Sequence, residues 1–343
     1  MTGPRILFVV DAGPRVGGGH VMRSLTLAGA LTAQGAACTF MGPPAVSALL
    51  DAFAPGAARL AAASTEPRDL AAAIGTEQFD AVVFDHYGLS SRDHRAMGQG
   101  RPVLVIDDLA DRPLGADIVV DAGPGRKAED YEGLAPEKAR LLLGPNYAPV
   151  RPEFAALRET ALAWRGEPVQ RILVSMGLTD VDGVTAQIIE RLRLRIGEAG
   201  LDVVLGAGSP SLAGLTKIAR RDQRLHIHVD TPHMARLTAE ADIAVGAAGS
   251  STWERCTLGL PTLQLVLADN QRPAAEAMAA LGAALVVDLT APNFEAQFDR
   301  ALTRLMVDAQ LRRSLAAKSA ELCDGQGAGR TASAFLQLLG DAE

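Results

Sequence analysis

The chain has 343 residues, 48% hydrophobic and 21% charged, with a formal net charge of −7. That length suits two domains of roughly 150 residues each, and no apolar run approaches the ~18 residues that cross a membrane. Net acidity and only 4% aromatic residues argue against a general binder of nucleic-acid backbones, but not against one small anionic ligand.

The opening "MTGPRILFVVDAGP" carries one basic residue and runs directly into a predicted strand, "RILFVV", so a signal peptide is not expected. His20 to Gln34 follows as a helix with Val21, Leu25, Ala28 and Leu31 on one face. "CTFMG" is the next strand, then a helix over Val46 to Ala52. "FDAVVFD", "PVLVIDD" and "DIVVDAG" are further strands, with "LSSRDHRAM" as a helix between the first two. Such continuous apolar runs fit parallel strands covered on both faces. Each ends in Asp, Gly or a polar turn, which places chemistry at the carboxyl ends of the strands.

Pro149, Pro152 and Pro168 interrupt that rhythm. The expected division is a first domain over 1–151, a connector over 152–168, a second domain over 169–325, and a helix over 326–343 packing back on the first domain. The second half repeats the alternation: "RILVSMG", a helix over Val184 to Ile196, "LDVVLGAG", "RLHIHVD", a helix through "HMARLTAEA", and "DIAVGA". A helix from Ser251, the strand "TLQLVL", a helix from Pro273 and a mostly helical stretch from Glu295 to Leu339 complete it. The fold class is α/β, with two Rossmann-like domains and an interdomain cleft as the default site. A single continuous sheet is the alternative, which the proline-rich break disfavours. Cys38, Cys256 and Cys323 are widely spaced, consistent with free thiols in a reducing, cytoplasmic compartment.

"GGGH", Gly17 to His20, lies between the first strand and the first helix. Glycines permit an abrupt turn, and a helix start offers N–H groups to an anion, here around Gly17 and Gly19. A phosphate cradle needs no imidazole. His20 therefore points to proton transfer as a general base, with a backbone-bonded helix start as the plainer alternative. No spaced glycine follows to make a dinucleotide fingerprint, and no GK[ST] makes a P-loop.

"GAAGSSTWERC", Gly246 to Cys256, pairs a strand end with Gly249, Ser250, Ser251 and Thr252, whose N–H and hydroxyl groups can surround a diphosphate. Ser251 and Glu254 have capping-box spacing, so Glu254 either closes that box or accepts from ribose hydroxyls. Asp269, Asn270 and Gln271 follow "TLQLVL" as helix caps or as partners for sugar hydroxyl and N-acetyl groups. Asp85, His86 and Tyr87 end a strand. Tyr87 can bond a substrate with His86 assisting and Asp85 orienting either, or the three form a local polar turn. Asp107, Asp108 and Asp111 would repel a diphosphate and suit a structural or sugar-side role. His226 and His228 share a strand face, but nothing completes a zinc site. His233 caps a helix or lines the cleft, and Ser24, Ser175 and Ser209 lie outside any G-x-S-x-G elbow.

Taken together, "GGGHVMRSLTLAGAL", "FDHYGL", "IDDLADRPLGADIVVDAG", "LLGPNYAPVRPEF", "ILVSMGLTD", "DIAVGAAGSSTWERCTLGLPTLQLVLADNQ" and "CDGQGAGR" resemble the PseG family of UDP-sugar hydrolases. The resemblance spans nearly the whole chain. It implies a GT-B-type, MurG-like fold, two Rossmann-like domains facing across a cleft. It implies release of UDP from UDP-2,4-diacetamido-2,4,6-trideoxy-β-L-altropyranose by water in pseudaminic-acid biosynthesis, a route to flagellin glycosylation. Cleavage at the anomeric carbon, inversion, and no metal or cofactor are implied with it. Carried over, His20 becomes the water activator, Asp11, Tyr87, Asn270 and Gln271 fall on the sugar side, and the Gly-Ser loop with Glu254 falls on the UDP side. The chain departs from the family pattern in "VVDAG", "SMGLTD" and "GAAGSSTWE". A monomer with a UDP-sugar substrate, no nucleic acid and no membrane insertion is expected. A MurG-like glycosyltransferase and a non-catalytic UDP-sugar-binding protein are the competing functions.

Overall fold

Arg5–Val10, β1, is buried along almost its whole length because both faces of its sheet are covered, so its residues need no polar alternation. The computed structural model describes residues 3–13, 16–64, 66–74, 78–166 and 168–340. The chain divides into two units, one comprising 1–150 with 326–343 and the other 151–325.

In the first unit β1 leads into α1 (Gly19–Ala33), β2 (Ala37–Gly42), α2 (Pro44–Phe53), β3 (Ala58–Ala61) and α3 (Pro67–Ile74). β4 (Ala81–Asp85), α4 (Ser91–Gly98), β5 (Val103–Ile106), β6 (Ile118–Asp121) and β7 (Arg140–Leu143) follow. The seven strands are ordered β3-β2-β1-β4-β5-β6-β7, and all of them pair in parallel. Both faces are apolar: Phe8, Val83, Leu104 and Val120 belong to one cluster, and Leu7, Val82, Phe84 and Val119 to the other.

The second unit begins with α5 (Pro152–Leu162) and continues through β8 (Arg171–Ser175), α6 (Val184–Arg193), β9 (Gly200–Leu205), α7 (Leu212–Ala219) and β10 (Leu225–Val229). α8 (Met234–Glu240), β11 (Ile243–Ala247), α9 (Ser251–Thr257), β12 (Thr262–Val266), α10 (Arg272–Ala280) and β13 (Leu285–Asp288) come next. α11 (Phe294–Val307) and α12 (Ala309–Leu322) close it. Its six parallel strands run β10-β9-β8-β11-β12-β13, a separate sheet rather than a continuation of the first. Arg158 of α5 staples this unit by donating to the end carbonyls of other helices: Thr257 O at 2.5 Å, Ala320 O at 2.7 Å and Cys323 O at 3.0 Å. A cation is favoured where carbonyls point out of a helix end.

The last helix, α13 (Gly327–Gly340), belongs to the first unit, where Ala332 and fully buried Phe335 join the cluster of Val21, Leu27 and Leu31. Burying one such phenyl ring contributes about 1.5–3 kcal/mol. Residues 341–343 of the expected terminal helix lie outside the described residues. Among the described residues no helix is long and apolar enough to cross a membrane.

Candidate active site

In the first sheet β1 and β4 are neighbours, although the chain visits β2 and β3 between them. Open parallel sheets bind ligands at such a reversal of strand order, beyond the carboxyl ends of the strands. Asp11 follows β1 there, and its N–H donates to Asp85 O at 3.1 Å. Gly17 takes a left-handed φ of 79° and donates its N–H to Gly13 O at 2.8 Å, closing a small loop ahead of α1. That N–H is therefore bonded within the chain here. Gly19 is the first residue of α1.

His20 is 4% exposed and lies against fully buried Asp85 at the end of β4. Its Nδ1 stands 2.5 Å from Asp85 Oδ1. Arg23, one turn along α1, donates Nη2 to Asp85 Oδ1 at 2.6 Å and Nε to Oδ2 at 2.8 Å, and Ser24 Oγ adds a bond at 3.1 Å. Arg23 and His20 push the Asp85 carboxyl far below the usual range, against the burial that would raise it. A carboxylate accepts only, so Nδ1 must carry the proton and Nε2 of the neutral ring is left with its lone pair. The buried Asp85 carboxylate thus selects one tautomer of the neutral ring.

Tyr87 packs edge-on against the His20 ring, with centroids 4.5 Å apart. Burial and neighbouring Asp108 push its phenol well up, so it stays a neutral hydrogen-bonding group. Asp108 accepts from Arg23 Nη1 at 2.7 Å, and Asp107 accepts from Arg112 Nη1 at 2.8 Å and Tyr131 Oη at 2.9 Å. Arginines thus neutralise the carboxylates whose repulsion the sequence raises as an objection. His86 is buried as well. Its Nδ1 accepts from the Gly88 N–H at 3.0 Å, and its Nε2 faces Asp11 Oδ2 at 3.9 Å, too far for a hydrogen bond.

The corresponding reversal in the second sheet lies between β8 and β11, where residues 246–252 leave β11 for α9. Ser250 is the N-cap of α9 and makes no side-chain cap bond. The capping-box alternative for Ser251 and Glu254 is not formed, since Ser250 and not Ser251 is the N-cap; Arg151 Nε and Nη2 instead donate to Glu254 Oε1 at 2.9 and 2.8 Å. Burial nonetheless raises the Glu254 pKa above the usual carboxylate value. Ser251 Oγ and Thr252 Oγ1 accept from buried Arg255 at 2.9 and 3.2 Å, while Gly249 is half-buried and Ser250 exposed.

Asn270 is exposed in a short turn over Asp269–Gln271. Gln271 precedes α10 without a side-chain cap bond, and its Oε1 accepts from the Leu267 N–H at 3.0 Å. His228 pairs with Asp202 at 2.8 Å, and among the described residues no group of His, Cys, Asp and Glu could hold a metal.

The chain matches no family model. It is 27% identical over 281 residues to the UDP-2,4-diacetamido-2,4,6-trideoxy-β-L-altropyranose hydrolase of Campylobacter jejuni, covering 81% of this chain and 97% of that protein. The crystal structure of Acinetobacter baumannii MurG superposes with a TM-score of 0.67 at 19% identity, covering 97% of this chain and all of that one. The fold is GT-B, MurG-like. The spinosyn rhamnosyltransferase SpnG complexed with thymidine diphosphate shares it, with a TM-score of 0.66 at 16% identity over 98% of this chain and 99% of that one.

Within this GT-B fold, three arginines that hold the candidate residues escaped the sequence reading. Arg23 had a signal, since a residue three positions after His20 shares its helix face. Arg255 had its adjacency to Glu254. Arg151 had none, because 103 residues separate it from the carboxylate it binds.

Proposed function

We propose that this chain is a UDP-sugar enzyme that cleaves the bond between the sugar's anomeric carbon and UDP, with His20 activating the attacking hydroxyl. The observation that carries the reading is the His20–Asp85 pair at the strand-order reversal of the first sheet, 2.5 Å apart and screened from solvent. The attacking oxygen bonds to the anomeric carbon from the face opposite UDP and passes its proton to His20 Nε2. The carbon–oxygen bond to the β-phosphate breaks, and its electron pair leaves with UDP. Asp85 steadies the imidazolium so formed, and Tyr87 bonds the sugar beside the ring. Asp11 and Asn270 are further sugar-side groups. The N–H groups of residues 249–251 and the hydroxyls of Ser250, Ser251 and Thr252 take the diphosphate, the Thr252 N–H being bonded to Gly249 O, and Glu254 accepts from the ribose through Oε2. The diphosphate is a good leaving group, so no strong acid is required.

Two nucleophiles fit. Water makes the chain a hydrolase, a reading supported by the Campylobacter protein, which aligns over nearly its full length. A hydroxyl-bearing acceptor makes it a transferase, supported by MurG and SpnG, whose fold it shares. Incubation with UDP-2,4-diacetamido-2,4,6-trideoxy-β-L-altropyranose and a small UDP-sugar panel, without acceptor, followed by NMR, separates them. UDP and free sugar appearing together support hydrolysis, and UDP release only on addition of an acceptor supports transfer. Binding with no turnover under either condition overturns the enzymatic reading.

A further inference from the structure

Two buried arginines of the second unit, Arg165 and Arg255, and the half-buried Arg151 can be compared by what accepts from them. Arg165 donates to backbone carbonyls at the ends of α8 and α9: Leu258 O at 2.9 Å, Thr238 O at 3.1 Å, and Ala241 O. Arg151 has the carboxylate of Glu254. Arg255 is 2% exposed and has neither arrangement. Its Nη1 donates to Ser251 Oγ, its Nη2 to Ala247 O at 2.8 Å and to Thr252 Oγ1, and its Nε has no partner. No carboxylate accepts from it among the described residues. Burial draws its pKa down to about 10, which leaves it charged at neutral pH.

The neighbouring Glu254 carboxylate is bonded to Arg151 instead, and a buried charge without a bonded partner of opposite sign is costly unless something compensates it. The location of this charge indicates what that is. A Cβ on Gly246 would meet Arg255 Nη1 at 2.8 Å and Ser175 O at 3.1 Å, so the guanidinium lies directly behind the strand-order reversal of the second sheet. Arginine donates only. Ser251 and Thr252 must therefore receive from Arg255 with their lone pairs, which leaves their own O–H hydrogens to be donated elsewhere. Gln264 Nε2 donates to Thr252 Oγ1 as well, at 2.8 Å, and fixes that hydroxyl in the same sense.

We propose that Arg255 is the positioning residue and counter-charge of an anion site for a nucleoside diphosphate: from behind the loop it orients Ser251 and Thr252 as donors and supplies the charge that the diphosphate neutralises. This rests on the reading of residues 249–252 as the diphosphate side. The anion need not touch Arg255, because a charge in a low-dielectric setting acts through the intervening hydroxyls.

Calorimetric titration of the wild type, Arg255→Gln and Arg255→Lys with UDP and with uridine tests it. In Arg255→Gln, UDP affinity falls about 10- to 100-fold while uridine affinity stays within about twofold. Arg255→Lys keeps most of its UDP affinity at about pH 7. It then loses about tenfold relative to the wild type by about pH 9, because a buried lysine gives up its proton there. The nearest titratable groups do not follow it: the Cys256 thiol is pushed up to about 12, and Glu254 is a carboxylate held by Arg151. If Arg255→Gln does not fold, the pH profile of Arg255→Lys decides alone. Parallel losses of UDP and uridine, or a wild-type pH profile in the lysine variant, overturn the inference while a wild-type preference for UDP leaves the diphosphate site standing. A wild type that binds UDP no better than uridine overturns both.

Discussion

At the strand-order reversal of the first sheet, Asp85 is buried with His20, Arg23 and Ser24 all donating to it. At the corresponding reversal of the second sheet, Arg255 is buried with only neutral acceptors. The first arrangement is electrostatically closed: both carboxylate oxygens accept, and the Nε2 of the imidazole is left outside the cluster. The second is open, with a charge and two oriented hydroxyls but no carboxylate bonded to it: the neighbouring Glu254 is held by Arg151. A closed cluster suits a group that must keep one tautomer through a reaction. An open one suits a place where charge arrives with the ligand. The same α/β connection can serve either purpose, depending on whether an acid or a base is buried behind it.

Breaking the closed cluster carries the largest expected effect. Asp85→Asn removes the charge that fixes His20 and leaves Arg23 without its main partner. Turnover should fall about 10³-fold, with a loss of about 3–5 kcal/mol in folding stability, read by steady-state kinetics and urea unfolding. Unaltered turnover in a folded variant would mean that Asp85 does not hold the catalytic tautomer. Arg23→Lys is milder. A lysine ammonium cannot fork across Asp85 while also reaching Asp108, so turnover should fall roughly tenfold with UDP affinity unchanged.

The open region is sharpened by Glu254→Gln. Ribose is common to UDP and uridine, so both affinities should drop together, about tenfold. That contrasts with the selective loss of UDP expected for Arg255→Gln. A selective loss in Glu254→Gln would move Glu254 from the ribose to the charge balance of the diphosphate.

The smallest effect concerns His94, buried in the first unit with Nδ1 accepting from the Gly115 N–H at 3.2 Å and Nε2 unpartnered. Burial lowers its pKa from 6.5 to about 4. As pH falls, the unfolded chain takes up this proton first. Stability is therefore complete above about pH 6.5 and declines towards pH 4, by up to ~3 kcal/mol. His94→Gln should flatten that part of the profile in urea titrations across the range. An unchanged slope would place the acid sensitivity elsewhere.

The legible parts of the sequence were those where burial is uniform. β1, β4, β8 and β11 are continuous apolar runs, and each appeared as a strand near its observed bounds. β3 reads "ARLA" and is only half buried at a sheet edge, so neither alternation nor a continuous run marks it. β7 and β13 are four-residue edge strands that pass for loop, and α3 and α7 are eight-residue helices with only one or two buried side chains each. In the candidate site, the glycines before His20 mark the tight turn that Gly17 makes at φ 79°, and the imidazole directly after it is the part a turn does not require. The capping-box spacing of Ser251 and Glu254 was misleading for an equally physical reason. Of the two roles the sequence leaves open for Glu254, the local one is not formed, and a guanidinium from far along the chain holds the carboxylate. Spacing exposes partners within a turn of helix; it carries no information about a partner that the tertiary fold delivers.

The central claim is that His20, held by Asp85, takes the proton from the attacking hydroxyl. Single-turnover release of sugar from UDP-2,4-diacetamido-2,4,6-trideoxy-β-L-altropyranose by His20→Asn, with UDP affinity and unfolding measured on the same preparation, tests it most directly. Release should be roughly 10²–10⁴-fold slower than in the wild type, with the fold and most of the UDP affinity retained. Release at close to the wild-type rate from a folded, UDP-binding variant would contradict the claim.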